Sequence, residues 1–113
     1  MADLKIKLTV FSIASIKDKI YDIVKKIPEG KVATYGEIAR KLNVNVRVVG
    51  WMLHQNQDLQ VPCHRVVDRN GRLAPNFAFD GKGEQRRRLE VEGVEFMDEM
   101  HVDLGKYLWL ELI

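Results

Sequence analysis

Apolar residues recur at helical spacing in SIKDKIYDIVKK (15–26), where Ile16, Ile20, Ile23 and Val24 share one side and charged residues the other. The pattern predicts an amphipathic helix, with Ser15 as its N-cap and Asp18 three residues on. IPEGK (27–31) ends it with a proline and a glycine. TYGE (34–37) has the form of a capping box: Thr34 caps the Glu37 amide, Glu37 reaches back, and a helix Tyr35–Leu42 follows. NVN (43–45) is a short turn, and Asn45 can cap a third helix from Val46 to about Gln55. Two short helices joined by a tight turn predict a helix-turn-helix. Near the start, LKIKLTV (4–10) alternates and reads as a short strand.

Further on, VPCHRVV and RLAPNF flank DRNG (68–71). Asn70-Gly71 is a hairpin signal, because both central positions of a type I′ turn require positive φ. GEQRRRLEVEG (83–93) predicts one more helix, stopped by Gly93, and Leu104, Tyr107, Leu108, Trp109 and Leu112 should dock the tail on the core. The expected fold is mainly α with a small β-hairpin: a winged helix-turn-helix DNA-binding domain. With no repeat, low-complexity tract or linker, residues 1–113 read as a single domain.

Composition narrows this only a little. A chain of 113 residues with 46% hydrophobic and 30% charged residues supports one modest core. A net charge of +2 does not announce a polyanion partner. A single cysteine makes no internal disulfide, so a reducing, intracellular setting is expected. Charges at Asp3, Lys5 and Lys7 argue against a signal peptide, and no run approaches a membrane span. A monomer with no membrane partner is expected.

In the third helix, Val46, Val49 and Leu53 fall at core-facing spacing, while Arg47, Gly50, Trp51 and His54 share another face. A cation, a position without a side chain and an aromatic ring suit a nucleic-acid groove. A solvated face with an incidental tryptophan is the plainer alternative. Cys63, in VPCHRVV, raises a similar choice. Lone cysteines are most often inert core residues. A metal site is not expected, because no C-x-x-C or H-x-x-x-H spacing exists. A nucleophile needs a base and an orienter. In a strand, Cys63 and His64 would point to opposite faces, so contact requires a bend, which Pro62 can help supply. Glu84, Glu90 and Glu92 are all candidates to hold the imidazole, and spacing does not choose among them.

PCHRV (62–66) resembles the active-site signature of the DNA repair methyltransferases that remove alkyl groups from guanine O6. IPEGKVATYGEIA (27–39), RVVG (47–50), Asn56 and the Glu-Gly pair at 92–93 resemble the same family, from about Phe11 to Phe96. The similarity covers the family's C-terminal catalytic domain and not its separate N-terminal domain. It implies that Cys63 accepts the alkyl group, His64 draws off its proton through a water, Glu92 orients His64 and Asn56 braces the loop. It implies that Arg47 fills the gap left by a flipped base and that Tyr35 presses the adjacent phosphate. Gly50, Trp51 and Arg65 join them as DNA-binding residues, with Arg40 and Lys41 on the phosphate backbone. Leu53, Pro62 and Val66 are expected to line the substrate pocket, and the resemblance implies that the carbonyls of Cys63 and Val66 hold the guanine amino group. The His-Glu pair is expected to lower the thiol pKa from roughly 8.5. No cofactor is needed, and each molecule reacts once.

The chain departs from that family at three places. NFAF (76–79) stands where the family has Tyr-Ser-Gly-Gly, the following segment is longer by about two residues, and Trp51 replaces a small residue. The length, the GEQRRRLEVEGVEF helix and the VDLGKYLW tail resemble alkyltransferase-like proteins. Those relatives bind alkylated guanine without repairing it, pass it to nucleotide excision repair proteins, and carry Trp or Ala in place of the cysteine. The partner expected is therefore double-stranded DNA containing O6-alkylguanine. Alkyl transfer to Cys63 is the first reading and a damage sensor the second. A winged-helix transcription factor with a structural cysteine is third, and it explains neither PCHRV nor Glu92.

Overall fold

The structure is a computed structural model that describes residues 15–75 and 81–112. The strand expected at 4–10 lies outside them, as do residues 76–79. Helix α1 occupies 15–26, and Ser15 is already helical, at the edge of the described chain. Its apolar stripe is buried at Ile20 and Val24, followed by Ile27. Tyr21 donates its hydroxyl to the Met52 carbonyl at 2.9 Å and ties α1 to the third helix.

Helices α2 (Tyr35–Leu42) and α3 (Val46–His54) form the helix-turn-helix. Thr34 accepts from the Glu37 amide at 3.1 Å, and Asn45 accepts from the Arg47 amide at 2.8 Å, so both expected caps form. The reciprocal half of the capping box does not: Glu37 Oε2 is buried with no hydrogen-bond partner. Asn43 ends α2 in the left-handed conformation, φ 55°, which asparagine tolerates better than most residues. Ile38 and Ala39 of α2 pack with Val49, Met52 and Leu53 of α3. Val46 was expected in that core and is 47% exposed. It is the first residue of α3, beyond the edge of α2, and Met52 completes the buried stripe instead.

The sheet is small and differs from the expected hairpin. Strands β1 (Ala33–Thr34) and β2 (Val66–Val67) pair in parallel, Ala33 with Val66 and Thr34 with Val67. Cys63–Arg65 form a 3-10 turn, so only two residues remain for β2, and β1 already occupies their ladder. The turn after β2 does form, with Gly71 N–H donating to Asp68 C=O at 2.9 Å and Asp68 N–H to Arg72 C=O at 3.0 Å. It is not type I′, since Gly71 (φ 82°) has positive φ and Asn70 does not. A side chain at Gly71 would run into the Val102 carbonyl. The returning arm pairs with the C-terminal segment: Leu73 N–H donates to Met100 C=O at 2.9 Å and Val102 N–H to Gly71 C=O at 2.8 Å.

Successive strand residues face opposite sides, and this separates two cores. Ala33 and Val66 point into one with α1, α2 and α3. Val32 and Val67 point into the other with Leu73, Leu89, Val94, Val102 and Tyr107. The second core holds helix α4 (Gly81–Val91) and helix α5 (Leu104–Tyr107). The tail docks as expected, Val32 donating to Tyr107 C=O at 2.9 Å and accepting from Trp109 N–H at 2.8 Å. Among the described residues no helix is long and apolar enough to cross a membrane. Cys63 therefore lies where β2 begins, at the seam between the cores and beside the helix-turn-helix.

Candidate functional site

Pro62 (φ −77°, ψ 65°) bends the chain into the 3-10 turn that begins at Cys63. Cys63 and His64 are thus consecutive on a turn rather than on opposite faces of a strand. Asn56, 1% exposed, braces the approach. Its Nδ2 donates to the carbonyls of Asp58 at 3.1 Å and Val61 at 3.3 Å and lies 3.6 Å from Cys63 Sγ. Its Oδ1 accepts from the Asp58 amide at 3.0 Å. The expected lowering of the thiol pKa is not what this setting produces. Burial pushes the Cys63 thiol above its usual 9.0, and the Asn56 amide and the Arg88 charge only partly oppose it. The resting group is a neutral thiol, so a reaction needs a base at hand.

His64, the residue expected in that role, is held by Glu92. Helix α4 ends in a Schellman motif: Val94 N–H donates to Leu89 C=O, Gly93 N–H to Glu90 C=O, and Gly93 has φ 90°. This fixes Glu92 at the helix end, 2.7 Å from His64 Nε2. Glu84 and Glu90 are engaged elsewhere, by Arg87 and Arg88 and by Arg86 respectively. Glu92 also takes Arg65 Nε at 2.9 Å, Arg65 Nη2 at 2.9 Å and the Gly30 amide at 3.2 Å. Burial opposes its charge, but Arg65, His64 and Gly30 together hold the carboxyl below its usual 4.5. With Nε2–H directed at the carboxylate, the lone pair of His64 falls on Nδ1, which is buried and has no hydrogen-bond partner. Burial outweighs Glu92 and lowers the imidazole pKa, so His64 is neutral at pH 7.

Arg65 is a correction to the expected DNA surface. Its side chain is 13% exposed and turned inward, with Nη1 donating to the Ile27 carbonyl at 2.7 Å. It neutralises Glu92 rather than facing a phosphate.

Cys63 opens on a cleft of about 450 Å³ lined also by Tyr35, Gly50, Leu53, His54, Asp68, Arg72 and the Leu73–Pro75 wall. Of the three expected pocket residues, Leu53 lines this cleft. Val66 is fully buried, its carbonyl accepting from Gln85, and Pro62 is not among the lining residues. The Cys63 carbonyl accepts from the Val66 amide. A second cleft of about 510 Å³ adjoins the first through Tyr35, Gly50 and Asp68 and carries Arg47 and Arg69. Tyr35 stands between the two, its hydroxyl pushed up to about 12 by burial and by Cys63. Arg47, Trp51 (57% exposed) and His54 lie on the open face of α3, and Arg40 and Lys41 are exposed on α2. Nothing lies within 4 Å of where a Gly50 side chain would begin. Sequence reasoning missed Gln85, the Arg69–Arg72 pair and the Gly30 amide. None of the three left a clear signal: Leu89 is the one buried apolar residue described on α4, so a polar residue four before it does not stand out.

These shifts set how stability varies with pH. His64 and Glu92 have lowered values, so the folded state binds fewer protons than the unfolded chain. Their contribution is present above the usual 6.5 and 4.5 and is lost as pH falls. Cys63 and Tyr35 have raised values, so their contribution is full below 9.0 and 10.0 and is lost as pH rises. The melting temperature should be flat between the usual values of His64 (6.5) and Cys63 (9.0) and fall on either side. In His64→Ala the first part of the acid-side fall should vanish.

Fold and site together define a helix-turn-helix DNA-binding domain that houses a buried cysteine followed by a histidine held on a carboxylate. Residues 15–94 match the family described as the DNA binding domain of 6-O-methylguanine DNA methyltransferase. The chain belongs to this DNA-repair family. Alkyltransferase-like protein 1 of Schizosaccharomyces pombe is 41% identical over 98 residues, covering 80% of this chain and 91% of that protein. The methylated-DNA–protein-cysteine methyltransferase of Methanocaldococcus jannaschii is 43% identical over 81 residues, covering 69% and 48%. The chain thus spans about half the length of that methyltransferase and nearly all of the alkyltransferase-like protein. The crystal structure of S. pombe Atl1 in complex with damaged DNA containing O6-carboxymethylguanine superposes with a TM-score of 0.76 at 38% identity, covering 85% of this chain and 95% of that one.

Proposed function

We propose that this protein takes O6-alkylguanine, turned out of duplex DNA, into the Cys63 cleft and transfers the alkyl group to Cys63. The observation that carries this reading is the thiol at the cleft, with His64 held by Glu92 next to it and the open face of α3 alongside. Sγ forms a bond to the alkyl carbon as that carbon's bond to guanine O6 breaks. The electron pair goes to the guanine, and the thiol proton, taken up by His64 Nδ1, is returned to it. The products are a thioether and guanine, so the step balances without a cofactor and is not reversed. Extruding the nucleotide costs a few kcal/mol, which an inserted side chain partly offsets. A second reading, favoured by the fuller coverage of the alkyltransferase-like protein and by the raised thiol pKa, is a sensor that holds the lesion for nucleotide excision repair proteins.

Arg47 is exposed, and its side chain makes no hydrogen bond or ion pair among the described residues. Arg47→Ala should therefore leave the melting temperature unchanged while weakening capture of O6-methylguanine duplex by about tenfold or more. Titration of lesion and undamaged duplexes checks this. Lesion affinity equal to that for undamaged DNA in the unaltered protein would refute both readings.

A further inference from the structure

Gln85 is fully buried beside Leu89 on α4. Its amide makes three hydrogen bonds, all to backbone. Oε1 accepts from the Ala74 amide at 2.8 Å, and Nε2 donates to the carbonyls of His64 at 3.2 Å and Val66 at 3.0 Å. The two carbonyls belong to the turn that carries Cys63 and the residue after it. Ala74, with Pro75, belongs to another wall of the Cys63 cleft. Among the described residues no other side chain hydrogen-bonds to both segments. Neither segment hydrogen-bonds to the other directly among the described residues, so the Gln85 amide is the side-chain link across this part of the cleft, added to the Leu73–Met100 bond that holds the residue before Ala74.

A leucine or methionine would fill the same volume in this core. A buried amide is tolerated there because its donors and acceptor are satisfied. Glu92, the residue that follows the same helix, holds the His64 ring. One rigid helix therefore grips the reacting turn twice, by a side chain and by its backbone.

We infer that Gln85 is a positioning residue that sets the span between Cys63 and the Ala74–Pro75 wall, and through it the size of O6 substituent that the cleft prefers. This rests on the reading given under Proposed function. Without the clamp the wall moves away from the thiol. A small substituent then loses its contacts, whereas a bulky one still reaches the wall.

The test compares Gln85→Met, which keeps the volume and removes all three bonds, with Gln85→Glu, which keeps an acceptor for Ala74 but, when ionised, has no donor for the two carbonyls. Both are made in the Cys63→Ala background, so that binding is read without transfer. Dissociation constants are measured for duplexes carrying O6-methylguanine, O6-benzylguanine or unmodified guanine. The methyl-to-benzyl preference should shift toward benzyl by about tenfold in Gln85→Met, the order expected when a pocket loses its fit to a small group. In Gln85→Glu, which also loses both bonds to the turn, it should shift the same way. A purely structural role would weaken both lesions alike, so an unchanged ratio in a folded variant overturns the proposal. If Gln85→Met does not fold, the ratio in Gln85→Glu decides in the same way. If the Gln85 protein itself binds neither lesion better than unmodified DNA, the parent reading fails, which is a distinct outcome.

Discussion

Glu92→Ala should lower stability by about 3–5 kcal/mol and abolish measurable alkyl transfer. The carboxylate is the common partner of His64, Arg65 and the Gly30 amide, and its side chain is only 9% exposed. Removing it leaves the buried Arg65 guanidinium with the Ile27 carbonyl and only the exposed Glu29 carboxylate at 3.9 Å, a costly way to break an interior ion pair. A domain of this size has roughly 5–15 kcal/mol in total, so the alanine variant sits near the edge of folding. Glu92→Gln separates chemistry from folding. It preserves the shape and still accepts from Arg65, but its amide can donate to His64 Nε2. That moves the ring proton to Nδ1 and removes the lone pair proposed to take up the thiol proton. Transfer should fall by roughly 10²–10⁴ with the melting temperature only partly reduced. Chemical denaturation and single-turnover kinetics on both variants check the two halves.

His64→Ala should slow transfer at pH 7 by roughly 10²–10⁴ and change the form of its pH dependence. With His64 present the base is neutral, because burial holds its pKa below the usual 6.5. The rate should therefore be level across neutral pH and fall only as acid protonates the imidazole. Without it, only pre-formed thiolate reacts. Burial holds the Cys63 thiol above 9.0, so the variant's rate should rise about tenfold per pH unit from neutral to beyond that value. A variant profile parallel to that of the unaltered protein would show that His64 is not the base.

The helix-turn-helix could be read from the sequence because its signals are local. Thr34 and Asn45 cap within three residues of themselves, and the stripe of α1 repeats within one helix. The parallel pairing of β1 with β2 could not, since two-residue strands whose partners lie 33 positions apart leave no periodicity to detect. The Asn-Gly signal placed a turn correctly but not the partner of its returning arm, which is set by the distant 100–102 segment. Cys63, His64, Glu92 and Asn56 were found through a motif, and the structure brings all four together. Arg65 was misplaced because a charged residue in a motif invites an outward reading. Its inward turn follows from the charge balance of Glu92, which only the folded chain reveals. The thiol pKa was misjudged for a related reason: its neighbours favour the thiolate, but the depth of burial that opposes them is a tertiary property.

The most direct measurement is the intact mass of the protein after mixing with a duplex containing O6-methylguanine and no added cofactor. Transfer predicts that each molecule gains one methyl group in place of one hydrogen, that peptide mapping puts it on Cys63, and that Cys63→Ala binds the same duplex without any gain. Tight, lesion-selective binding with Cys63 still unmodified after prolonged incubation would contradict transfer and leave the protein a sensor.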